Sequence, residues 1–122
     1  MAIERNDIRE ERISDEATVD AYGPEEQIMG WYYYLDNKIE PFTGKCIKKI
    51  ITSPLEPDEQ VEIIRMALEN VCDKGEMYVL CNWQGRLLGV PLKQIGIVEA
   101  NEETQEAIED WHYWVARGYQ FF

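Results

Sequence analysis

The chain has 122 residues, 45% of them hydrophobic and 30% charged, and a formal net charge of −12. That length fits a single domain with a real core. The charge repels phosphate backbones and anionic membrane surfaces, so nucleic-acid and membrane partners are excluded in favour of cations or a basic protein. No apolar run is long enough for a membrane span, and the charged opening residues carry no secretory leader pattern, so a cytoplasmic protein is expected.

The charge is uneven. Residues 1–26 hold nine acids against three bases, and residues 99–122 hold six against one. Residues 27–98 are nearly balanced, with nine acids and eight bases. The excess therefore sits on the two flanks. On its own it explains solubility as well as it explains cation binding.

Taken in order, residues 4–16 read as a loose, charged helix in an acidic region spanning 1–22, with only a poor stripe of Ile3, Ile8 and Ile13. Gly23-Pro24 breaks the chain, and Pro24, Glu25 and Glu26 suit the first turn of a new helix. Ile28, Trp31, Tyr32, Leu35 and Ile39 recur at helical spacing, so a helix is predicted over 24–38, stopped by Pro41. Its run Trp31-Tyr32-Tyr33-Tyr34 points around most of the circumference. Two of these rings should reach the core, and the others need a second surface.

The period then changes. Strands are predicted at 42–51, around 61–64, at 76–83, at 86–92 and at 95–98, with a tight turn at Gln84-Gly85. Five short strands fit a small SH3-like half-open β-barrel over 42–98. A last helix is predicted over 102–117. Asn101 caps it, Ala107, Ile108, Trp111, Trp114 and Val115 form its apolar face, and Gly118 stops it. The fold class is α+β in one domain.

No catalytic grouping stands out. His112 is the lone histidine and has no triad partners, so it reads as a packed or half-exposed side chain. Cys46, Cys72 and Cys81 lack metal or disulfide spacing and read as reduced thiols. No Gly-rich phosphate loop is present.

A hard cation such as Ca²⁺ needs oxygen ligands converging from loops or helix ends. The EF-hand pattern is absent. The best local candidate is Asp36-Asn37-Lys38-Ile39-Glu40, at a helix C-terminus where carbonyls lack partners. A second acidic cluster, Glu69-Asn70 with Asp73 and Glu76, precedes a strand. In a small barrel of this order the start of the first strand pairs with the end of the second. That pairing would bring 36–40 near 66–73. The predicted metal ligands are Asp36, Glu40, Glu69, Asp73 and Glu76.

The opening A-I-E-R-N with R-E-E-R-I, the block V-D-A-Y-G-P-E-E-Q-I-M-G-W-Y-Y-Y-L at 19–35, S-P-L at 53–55, V-P-L-K-Q-I at 90–95 and E-D-W-H-Y-W-V-A-R-G-Y at 109–119 resemble the small bacterial calcium-binding proteins of the CcbP type, known from cyanobacteria. The resemblance runs over essentially the whole chain. It implies a cytosolic calcium buffer without EF-hands, a compact barrel with attached helices, and a strong site that includes the aspartate after W-Y-Y-Y-L, here Asp36. Glu40, Glu69, Asp73 and Glu76 are geometric expectations and do not come from the resemblance. Lys38 departs from a favourable pattern and should weaken cation binding. The alternative function is an acidic interaction module that grips a basic partner protein.

Overall fold

The computed structural model describes residues 4–19, 21–72 and 76–118. Helix α1 (Asp7–Arg12) runs into a π-helical turn (Ile13–Ala17), followed by α2 (Pro24–Lys38). Strands β1 (Phe42–Cys46), β2 (Gln60–Met66), β3 (Tyr78–Trp83), β4 (Arg86–Pro91) and β5 (Ile95–Glu99) come next, then α3 (Glu102–Ala116). Short 3₁₀ turns lie at Glu69–Val71 and Leu92–Gln94. Among the described residues no helix is long and apolar enough to cross a membrane.

The strands form one antiparallel sheet in the order β4-β3-β2-β1-β5. Strands β1 to β4 form a meander, and β5 returns beside β1. No ladder joins β4 to β5 among the described residues, so the barrel is half open. Phe42 lies opposite Ile63 and Lys45 opposite Gln60, which sets the start of β1 against the middle of β2, where its end was expected. Strand β1 ends at Cys46, short of the expected residue 51. There the Cys46 carbonyl accepts from the Asp58 N–H at 2.7 Å, and the chain leaves the ladder. The β3–β4 hairpin turns through Gln84 at φ 51° and Gly85 at φ 81°. Both values are left-handed, as a type I′ turn requires, and only glycine adopts them without strain.

Helix α2 has the predicted bounds, with Pro24 in its first turn beside Glu25 and Glu26. Three of its four consecutive aromatics are buried, not two: Trp31, Tyr32 and Tyr34 lie inside, and Tyr33 stays 49% exposed. The extra burial arises because α2 is covered on two sides. The ring of Trp31 meets Trp111 edge-on with centroids 5.1 Å apart, and meets Tyr34 at 5.7 Å. Helix α3 begins as read, the Asn101 side chain accepting from the Thr104 N–H at 2.8 Å. Its buried face takes in Asp110 and Tyr113, whereas Val115 is 36% exposed.

The expectation of a loose N-terminal helix is corrected. Asp110 is fully buried, and its carboxylate accepts from Arg9 Nη1 at 2.7 Å, from Arg12 Nε at 2.8 Å and Nη2 at 2.6 Å, and from the Tyr34 hydroxyl at 2.7 Å. The Arg12 guanidinium holds its proton more firmly than usual, first because of its hydrogen bond to Asp110. The Tyr34 phenol is pushed up, first by burial and then by the same carboxylate. The charged residues that make α1 look solvated are the ones that bind it to α2 and α3.

Candidate metal-binding surface

Asp36 lies exposed in the last turn of α2. Tyr32 and Tyr33 precede it by four and three positions, so all three occupy one side of the helix. Tyr32 turns inward and donates its hydroxyl to the Ala67 carbonyl at 2.7 Å. Tyr33 stays outside and donates to Glu69 Oε2 at 2.9 Å. The two rings meet edge-on, with centroids 5.6 Å apart and planes at 79°. The phenols thus fasten α2 to the segment that follows β2, one turn before the 36–40 stretch that was expected to meet residues 66–73.

The electrostatics carry the same pattern. The Tyr33 phenol is pushed up, first by its hydrogen bond to Glu69, then by the Glu69 charge, and further by Asp36. The Tyr32 phenol is pushed up, first by burial and then by Asp36, Cys72 and Glu69. Asp36 and Glu69 come from separate segments, yet their fields fall on the same two hydroxyls.

The other expected ligands are placed differently. Glu40 is exposed, and its Oε2 accepts from Asn101 Nδ2 at 2.6 Å, at the entry to α3. Its N–H donates to Thr104 Oγ1 at 3.0 Å, while the Thr104 hydroxyl donates to the Lys38 carbonyl at 2.8 Å. The Leu35 carbonyl accepts from the Ile39 N–H at 2.8 Å. Two carbonyls of the helix end expected to lack partners are therefore satisfied. Glu76 is half-buried and paired with Lys93 Nζ at 3.1 Å. Asp73 lies outside the described residues. Among the described residues, no three or more His, Cys, Asp or Glu side chains are gathered closely enough to hold a metal ion. The Lys38 ammonium, expected to oppose a cation here, lies 3.8 Å from Glu16.

Asp36 and Glu69 offer oxygen donors only, which suits a hard cation. The soft donors are committed elsewhere. The three cysteines are buried thiols, and His112 Nε2 lies 2.7 Å from the Ile95 carbonyl oxygen. Burial lowers the His112 pKa. Beside Glu69 runs a mainly apolar groove of 480 Å³, lined by Met29, Leu68, Glu69 and Asn70. Leu68 is 68% exposed there, an uncommon exposure for a leucine at the end of a core strand. The aromatic run flagged Tyr33 as needing a second surface, but nothing in the sequence named Glu69 as its partner.

A half-open five-stranded barrel packed against acidic helices, with no EF-hand pattern in its sequence, defines a small acidic α+β protein. The family model Calci_bind_CcbP, described as calcium binding, matches residues 11–115, so the chain belongs to the CcbP family of calcium-binding proteins. Calcium is the ion that this membership assigns to it. The chain is similar to the crystal structure of Anabaena CcbP, with 46% identity and a TM-score of 0.86, covering 99% of this chain and 100% of that one. It is also similar to a calcium-binding protein in the calcium-binding form, with 41% identity and a TM-score of 0.84, covering 99% of each chain. No curated protein matches the chain.

Proposed function

We propose that the protein binds Ca²⁺ reversibly through surface carboxylates and acts as a cytosolic calcium buffer or modulator. Asp36 is the anchoring ligand and Glu69 its first partner. Asp73, four positions beyond Glu69, contributes from the adjoining segment. Glu40 and Glu76 join only by releasing Asn101 and Lys93. The observation that carries this reading is the 2.9 Å hydrogen bond from Tyr33, on the side of α2 that bears Asp36, to the Glu69 carboxylate of a separate segment. A relative 41% identical that is described in a calcium-binding form supports it. The acidic flanks add a field that concentrates cations and is screened by salt over about 8–10 Å. A surface site with few charged ligands belongs toward the weak end of calcium affinities, roughly 10⁻⁶ to 10⁻³ M.

The test is calorimetric titration of Asp36→Asn with CaCl₂. The variant should lose the tighter event and keep a diffuse, salt-sensitive one. A titration that matches the parent removes Asp36 as the anchor. A second reading, an acidic module that grips a basic partner protein, is favoured by the apolar groove beside Glu69. Thermal melts in Ca²⁺, Mg²⁺ and EDTA separate the two. An upward shift selective for Ca²⁺ supports a defined site. Equal shifts in Ca²⁺ and Mg²⁺ leave only charge screening, and the partner reading gains.

A further inference from the structure

We infer that Tyr33 is a positioning residue for the ion: its hydroxyl holds the Glu69 carboxylate against α2, on the side that carries Asp36. The inference rests on the reading of Asp36 and Glu69 as ligands. Glu69 opens a three-residue 3₁₀ turn and is exposed, and an unrestrained glutamate there would sample many rotamers. The 2.9 Å bond from Tyr33 to Oε2 selects among them. Tyr33 is itself braced, because its ring abuts Tyr32, and Tyr32 is pinned to the Ala67 carbonyl at 2.7 Å. The brace therefore runs from a buried backbone oxygen, through two rings, to an exposed carboxylate.

The choice of donor matters. A phenol gives one proton to Oε2 and leaves Oε1 free to accept an ion. It is neutral, so the carboxylate keeps its full charge. Glu76 shows the opposite arrangement: it is held by the Lys93 ammonium at 3.1 Å, which cancels the charge a cation would seek. Glu69 is thus oriented without being neutralised, and the preorganisation saves part of the entropy of gathering ligands when the ion arrives.

Tyr33→Phe keeps the ring and removes the hydroxyl. Calcium is titrated by calorimetry, and Tb³⁺, as a luminescent stand-in, reports its bound waters from lifetimes in H₂O and D₂O. Tyr33→Phe should raise the calcium Kd roughly fivefold, the size expected for one lost hydrogen bond of ordinary strength, since this bond is exposed to water. Bound Tb³⁺ should gain about one water where Glu69 lets go. Without ion, the melting temperature should stay within about 2 °C of the parent, as for an exposed substitution. Glu69→Gln should weaken binding, and adding Tyr33→Phe to it should cost nothing more. Parent-like affinity and hydration in Tyr33→Phe, or independent losses in the double variant, overturn the positioning role. If Asp36→Asn and Glu69→Gln bind like the parent, the ligand assignment itself fails and the role of Tyr33 falls with it. If they weaken binding and Tyr33→Phe does not, only the positioning role is lost.

Discussion

Replacing Asp110 with asparagine should unfold this protein far more readily than any surface change. The side chain is fully buried and receives two hydrogen bonds from Arg12, one from Arg9 and one from Tyr34. Asparagine has nearly the same shape but brings an amide NH₂ that must face other donors. The guanidinium groups, with side chains 22% and 18% exposed, lose their nearest counter-charge and keep only the more exposed Glu109 and Glu106, at 3.6 and 3.4 Å. Breaking one side of a buried, hydrogen-bonded ion pair costs about 3–5 kcal/mol. For a domain of this size that corresponds to a fall of roughly 10–20 °C in melting temperature. Thermal unfolding followed by circular dichroism, in EDTA, measures it. A fall below about 5 °C would mean that the cluster is relaxed or hydrated, and that α1 is held by something else.

Other outcomes can be stated more briefly. A Cβ at Gly30 would stand 2.2 Å from the Ala17 carbonyl oxygen, so Gly30→Ala must push the π-helical turn off α2. It should cost about 1–3 kcal/mol by chemical denaturation, against the gain alanine normally gives in a helix. The His112 pKa is lowered in the folded state, chiefly by burial, so the unfolded chain takes the proton first. Its contribution is complete above pH ~6.5, fades as pH falls below that value, and levels off beneath the folded pKa. His112→Gln should flatten that part of the profile in melts between pH 7 and 5, with Gln able to donate to the Ile95 carbonyl.

Much of the fold was legible because its signals are local. Pro24 with two glutamates marks the start of α2, Asn101 caps α3, and Gln84-Gly85 sits in a left-handed turn. What stayed hidden depends on partners distant in sequence. Asp110 reads as one more surface acid until Arg9 and Arg12 are folded onto it. Tyr34 reads as surplus aromatic surface until its hydroxyl finds that carboxylate. For the candidate site, strand order pointed to the segment after β2, but it is Tyr32 and Tyr33, not residues 36–40, that make the contacts with it. It could not tell which carboxylates face one another. Glu40 and Glu76 have the same side chain as Glu69, but Asn101 and Lys93 already occupy them. No pattern of spacing reveals such prior engagements.

The bonds from Arg9 and Arg12 to Asp110 span 101 and 98 positions. During synthesis the first helix therefore meets the carboxylate that holds it only after about a hundred further residues have emerged, although the turn that follows it can already pack on α2. Contacts of such long range form late and slowly. The barrel strands and α2 can assemble early, and the arginines of the acidic N-terminal segment must wait for α3 to bring their carboxylate, the segment's own repulsion keeping it from clumping meanwhile.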